Sequence, residues 1–232
     1  MPMPLADAVF LVLLLLLLPA FAMVQAVHLG DNVPPRMGMY VSSGASILVL
    51  AALSLILGTG TPGLAAMGLQ VAGTGWILGL AAILTGVALA LLLAVRGLER
   101  TMGWGETRIL LELLPRTAQE RRVFAVLSFI AGIGEEIAYR GFALAWTTQL
   151  FGSPLAAVGL TSLGFGLLHA YQGVVGVVRT GLLGALYAVS VVATGNLWPA
   201  ILSHIAVDLI AGLVLADTLT GATDGHRSGS TG

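Results

Sequence analysis

The sequence predicts an all-α, polytopic transmembrane helical bundle, and three observations carry that prediction. Of its 232 residues 57% are hydrophobic and only 9% are charged, against about a quarter charged in an ordinary soluble domain. Apolar blocks recur at roughly 8–27, 38–58, 75–95, 122–150, 154–170, 173–194 and 197–215, most of them near the ~20 residues that cross a bilayer, which gives about seven spans. Most of the few charged residues fall between or beyond the blocks, densest in the third connector. The remaining composition excludes whole classes of chemistry. There is no cysteine, so a disulfide scaffold, a thiol nucleophile and thiolate metal ligands are all absent, and reactivity falls to Glu, Asp, His, Ser or Thr. Net charge is −1, with ten arginines and no lysine, which leaves no basic surface for nucleic acid.

The first block, within MPMPLADAVFLVLLLLLLPAFAMVQAV, reads as a retained span rather than a cleaved signal sequence. A signal peptide wants a positive n-region and a small-residue cleavage site, whereas Asp7 and no Lys or Arg precede this run, and AFA at 20–22 is a weak site. The connector HLGDNVPPRMGM follows, and the next connector, TGTPGLAAMGLQVAGTG, is uncharged. The third holds Arg96, Arg100, Arg108, Arg116, Arg121 and Arg122. Positive charge accumulates on cytoplasmic loops, so this connector is expected inside, which puts the N-terminus out and the C-terminus in. Within it, ETRILLELL has the pattern of a short surface helix. Pro115 ends that pattern, and Thr117 with Glu120 has capping-box spacing, so the fourth long helix is expected to start near 118. Glycines inside the spans read as helix-packing contacts. The tail after 216, rich in Gly, Ser and Thr, reads as disordered.

A charge at the bilayer centre costs at least about 2.5 kcal/mol, so each one asks for a partner or a purpose. That filter leaves Glu135, Glu136, Arg140, His169, Arg179, His204 and Asp208, all in the second half of the chain. The first three blocks contain none and read as scaffold. Glu136 and Arg140 are four apart, acid first, the favourable arrangement for an ion pair on one helix face. Glu135 lies about 100° around the helix from Glu136, is less completely paired, and so is the better candidate for a general base. Phe165 and His169 share a face in SLGFGLLHAY, as do His204 and Asp208 in AILSHIAVDLI. Arg179 reads as a residue reaching for the interface or as a contact for a substrate carboxylate.

Two carboxylates and two imidazoles around one pocket suit hydrolysis. Glu135 is placed to take a proton from water with His169 beside it, and His204 with Asp208 to face the oxyanion. The alternative is a zinc ion held by Glu135, His169 and His204, although HExxH, the pattern that would make metal the default, is missing. Intramembrane Glu, His and Asp also form proton relays, so a proton-coupled transporter is a competing reading, and a non-catalytic membrane scaffold is another.

GIGEEIAYRG, FGLLH and HIAVD, in that order on successive helices, resemble the EExxxR, FxxxH and HxxxN/D motifs of the CPBP family. These are intramembrane endopeptidases that include the type 2 CAAX prenyl proteases and bacteriocin-processing proteins. The resemblance covers about 117–213. It implies that Glu135 and His169 activate water, that His204 and Asp208 line the oxyanion side, and that Glu136 and Arg140 pair structurally. It also implies a peptidase of glutamate type without an essential metal, acting on a membrane-associated peptide or protein. Two positions depart from the family pattern: Tyr139 stands where phenylalanine is common, and Asp208 where Asn is an alternative. An ionised Asp208 would repel an oxyanion unless it orients His204 and favours the imidazolium. Domain organisation follows as an N-terminal scaffold over 1–116, a catalytic core over 117–215 and a tail over 216–232. The all-arginine, Gly- and Ala-rich composition looks bacterial, so the expected setting is a bacterial plasma membrane.

Overall fold

Seven apolar runs become seven helices in the computed structural model, which describes residues 2–29, 34–70, 73–103 and 112–215. They are α1 (5–29), α2 (Arg36–Gly58), α3 (Thr74–Met102), α4 (118–151), α5 (Pro154–Leu168), α6 (Gly173–Thr194) and α7 (Trp198–Leu213), with a 3₁₀ turn Ala170–Gln172 before α6. Among the described residues α1, α2, α3 and α6 are long and apolar enough to cross a membrane, and α5 and α7 are shorter apolar helices. The chain is an integral membrane protein. The disordered tail and most of the surface helix expected in ETRILLELL lie outside the described residues.

Helix α4 begins where its capping signal puts it. The Thr117 side chain accepts from the Glu120 backbone N–H, and the Glu120 carboxylate accepts from the Thr117 N–H at 2.9 Å, a complete capping box. The helix then runs on as Ala118–Glu136, a π-turn Ile137–Ala143 and Leu144–Phe151. All seven residues of that π-turn are buried, so the widest turn of the chain sits at the centre of the bundle. Helix α1 carries a π-turn of its own, Leu13–Leu17, and the two pack together. A π-turn interrupts the regular ladder of backbone bonds, and Tyr139 donates its hydroxyl to the Leu14 carbonyl at 2.9 Å across this contact. The hydroxyl that distinguishes Tyr139 from phenylalanine is therefore used.

Contacts between loops agree on which helix ends lie together. Arg36, at the start of α2, reaches Glu112 and Glu120 at 3.0 and 2.8 Å. Arg121 donates to the Leu213 carbonyl at 2.6 Å, bringing the end of α7 to the same end. At the other end the Leu197 N–H donates to the Gly68 carbonyl, and Asn196 to the Gln70 carbonyl. Trp146 near the end of α4 donates to Asp7 at the start of α1, 3.0 Å away. The seven helices thus alternate in direction along the chain. Helix α5 has 15 residues, a rise of about 22 Å, against a hydrocarbon core of ~30 Å. It stops at His169, short of that thickness.

The first three helices are less apolar than their blocks implied. Helix α1 starts at Leu5 rather than 8, so Asp7 falls within it and is buried against Trp146. Helix α3 runs to Met102, so Glu99 is buried too, with Arg96 on one oxygen at 3.2 Å. Each acid has a partner, as burial demands, and the N-terminal half contributes polar contacts as well as scaffold.

Candidate active site

The site is built around Glu136. Its Oε1 accepts from Arg140 Nη1 at 2.9 Å and from His204 Nδ1 at 2.8 Å. Glu136 is 0% and Arg140 1% exposed. The ion pair expected from the i, i+4 spacing is present, but the carboxylate also holds an imidazole from α7. In this geometry Glu136 is the residue that fixes His204, a task the sequence assigned to Asp208. With Nδ1 donating to a carboxylate, Nε2 is the nitrogen left to face the pocket. It lies 3.9 Å from Glu135 Oε2 and 3.8 Å from Asp208 Oδ1.

His169 is set differently. Its Nδ1 lies 2.8 Å from the Phe165 carbonyl, which only accepts, so Nδ1 carries the hydrogen and Nε2 keeps its lone pair. The Phe165 ring walls one side of it at 4.7 Å between centroids, as the shared face anticipated. The same phenylalanine takes the Arg140 guanidinium over its face at 4.0 Å and meets the Tyr139 ring edge-on at 5.1 Å. Phe165 thus ties the ion pair on α4 to the imidazole at the end of α5.

The structure brings Glu135, Glu136, Arg140, Phe165, His169, His204 and Asp208 into one region, with a difference of detail. Glu135 stands next to His204, and no hydrogen bond or ion pair joins it to His169. Arg179 is apart from this group, 3.7 Å from Glu99 and hydrogen-bonded to Gln172. Among the described residues no three His, Asp or Glu side chains converge as a metal-holding group. The zinc set Glu135, His169 and His204 is not assembled in this geometry, and no step is routed through a metal.

Close helix approach brings these faces together. A Cβ on Gly132 would sit 2.5 Å from Ile205 Cγ1 and 2.9 Å from its backbone N, so the missing side chain lets α7 press against α4 one residue from His204. Gly134 admits Ile47 of α2 in the same way. Charge counting overlooked the neutral members of the site. Tyr187 on α6 stacks on His204 at 5.8 Å and 23°, its hydroxyl 3.3 Å from Ser203 Oγ, which in turn lies 3.2 Å from Thr85 on α3. The only signal for them was hydroxyl residues recurring within apolar spans.

An intramembrane helical bundle with a buried Glu–Arg–His cluster and two flanking acids is the class defined so far. Residues 118–210, α4 through most of α7, match the family model described as Type II CAAX prenyl endopeptidase Rce1-like. The match agrees with the resemblance carried by the three motifs, and supports a CAAX-type intramembrane endopeptidase in general terms. No curated protein and no solved structure matches the chain.

Proposed function

We propose that the protein hydrolyses a peptide bond of a membrane-associated peptide or protein of its own cell, with Glu135 as general base. The observation that supports this most is the contrast between adjacent acids. Glu136 gives one oxygen to Arg140 and His204 together, while Glu135 makes no hydrogen bond among the described residues and stands 3.9 Å from His204 Nε2. In the reaction Glu135 takes a proton from water, which His169 orients through the Nε2 lone pair. The hydroxide oxygen attacks the scissile carbonyl carbon, and His204 donates from Nε2 to the oxyanion. Glu135 then gives its proton to the amide nitrogen as the C–N bond breaks. Donation from Nε2 while Nδ1 already donates requires the imidazolium, and Glu135, Glu136 and Asp208 stand around His204. Asp208 acts through His204 and does not touch the oxyanion. We place the Arg-rich connector in the cytoplasm of a bacterial cell, with the N-terminus out.

The test is cleavage of a membrane-peptide library by purified protein, wild type beside Glu135→Ala and His169→Ala. Loss of cleavage in both variants supports the assignment. Equal cleavage in all three overturns it. Activity that survives exhaustive chelation with verified metal removal supports the metal-free mechanism, and activity restored only by zinc contradicts it.

A further inference from the structure

Glu99, Arg179 and Gln172 have no part in that scheme, yet they are joined into one path that ends at His169. Arg96 and Arg179 hold the two Glu99 oxygens at 3.2 and 3.7 Å. Arg179 Nη2 donates to Gln172 Oε1 at 3.0 Å, and Gln172 Nε2 donates to the Tyr171 hydroxyl at 3.0 Å. The Gln172 backbone N–H donates to the His169 carbonyl at 2.9 Å, and the Tyr171 ring lies 5.8 Å from the imidazole. The path crosses from α3 through α6 to the 3₁₀ turn.

That turn needs external support. His169 stands just past the last residue of α5 at φ −95°, ψ 22°, and the chain enters α6 through Gly173 at φ 77°, a conformation other residues rarely adopt. The imidazole is otherwise held by Phe165, of its own helix. Glu99 is buried and lies between two guanidinium groups, so it offers a fixed point in the last turn of α3.

We propose that Glu99, Arg179 and Gln172 are positioning residues, a polar clamp from α3 and α6 that holds the 169–173 turn and thereby aims His169 Nε2 at the reacting water. The inference rests on the role given to His169 above. Gln172→Leu cuts the clamp and leaves the Glu99–Arg179 pair intact. Gly176→Ala does so from beneath, since a Cβ there would fall 2.2 Å from Gln172 Cβ and drive that side chain away. Arg179→Gln removes the centre of the path.

Because the chain has no cysteine, Ala170→Cys supplies a single thiol on the turn, and its rate of maleimide labelling reads the turn without any substrate. In Gln172→Leu and Gly176→Ala the labelling rate is expected to rise at least about threefold. In the cysteine-free forms kcat is expected to fall about tenfold with KM unchanged, the mark of lost aim rather than lost binding. Arg179→Gln should do the same and add nothing when combined with Gln172→Leu. Wild-type labelling and kcat in Gln172→Leu and Gly176→Ala would overturn the clamp. Faster labelling in a protein whose His169→Ala variant cleaves normally would uphold the clamp and overturn the reaction scheme instead.

Discussion

Two ionic clusters of similar composition stand in different places in this chain. At the connector end Arg36 gathers Glu112 and Glu120, donates to the Glu112 carbonyl as well, and shares Glu112 with the exposed Arg116. In the centre of the bundle Arg140, Glu136 and His204 are almost wholly excluded from solvent. The first cluster fastens a loop to the start of α2, where water and salt screen it. The second, buried among apolar side chains, sets the angle of an imidazole between two further acids. Similar ion pairs are thus a modest staple in one place and a geometric device in the other.

Breaking the central cluster should have the largest effect. Arg140→Gln removes the guanidinium from the buried Glu136 carboxylate and breaks the ion pair, which costs on the order of 3–5 kcal/mol. Thermal unfolding in detergent should show a loss of that size together with loss of cleavage. Gly132→Ala comes next: the added methyl must displace Ile205, costing about 1–3 kcal/mol and shifting His204 beside it. Cleavage should fall even where the protein remains folded at the assay temperature. Tyr139→Phe, which restores the residue common in the family, strands the Leu14 carbonyl of α1 and should lower stability by about 1–3 kcal/mol without altering the pH profile of cleavage.

The connector cluster should answer more weakly. Arg36→Gln is expected to cost no more than ~1 kcal/mol, and added salt should shrink the difference from wild type. Glu120 also gives this end a pH dependence. The backbone N–H groups of Thr117 and Arg116, then the Arg36 side chain, hold its carboxyl down at about 2. Its folded value lies below the unfolded value of about 4.3, so its contribution is complete above that pH and is lost as pH falls toward 2. Melting curves between pH 5 and 2 should show that loss in wild type and a flatter response in Glu120→Gln.

The contrast between clusters also explains what could be read from sequence. Seven helices, the start of α4 and the Glu136–Arg140 pair depend on local patterns, namely apolar runs, a capping box and i, i+4 spacing, and each was legible. Contacts between distant helices were not. Nothing local announces that Glu136 reaches His204 sixty-eight residues away, that Tyr187 stacks on that ring, or that Tyr139 meets the Leu14 carbonyl. Asp7 and Glu99 were missed for a simpler reason: block edges drawn on hydropathy stopped short of helices that continue past them. The glycines at 132 and 134, read in sequence as helix-packing contacts, take α7 and α2 against them.

The division of labour between adjacent glutamates is the centre of the account, and one paired measurement tests it: the cleavage rate and melting temperature of Glu135→Gln beside those of Glu136→Gln. For Glu135→Gln the account predicts a rate lowered by about 10²-fold or more with melting unchanged, and for Glu136→Gln a lowered melting temperature. A Glu135→Gln protein that cleaves at the wild-type rate would contradict it.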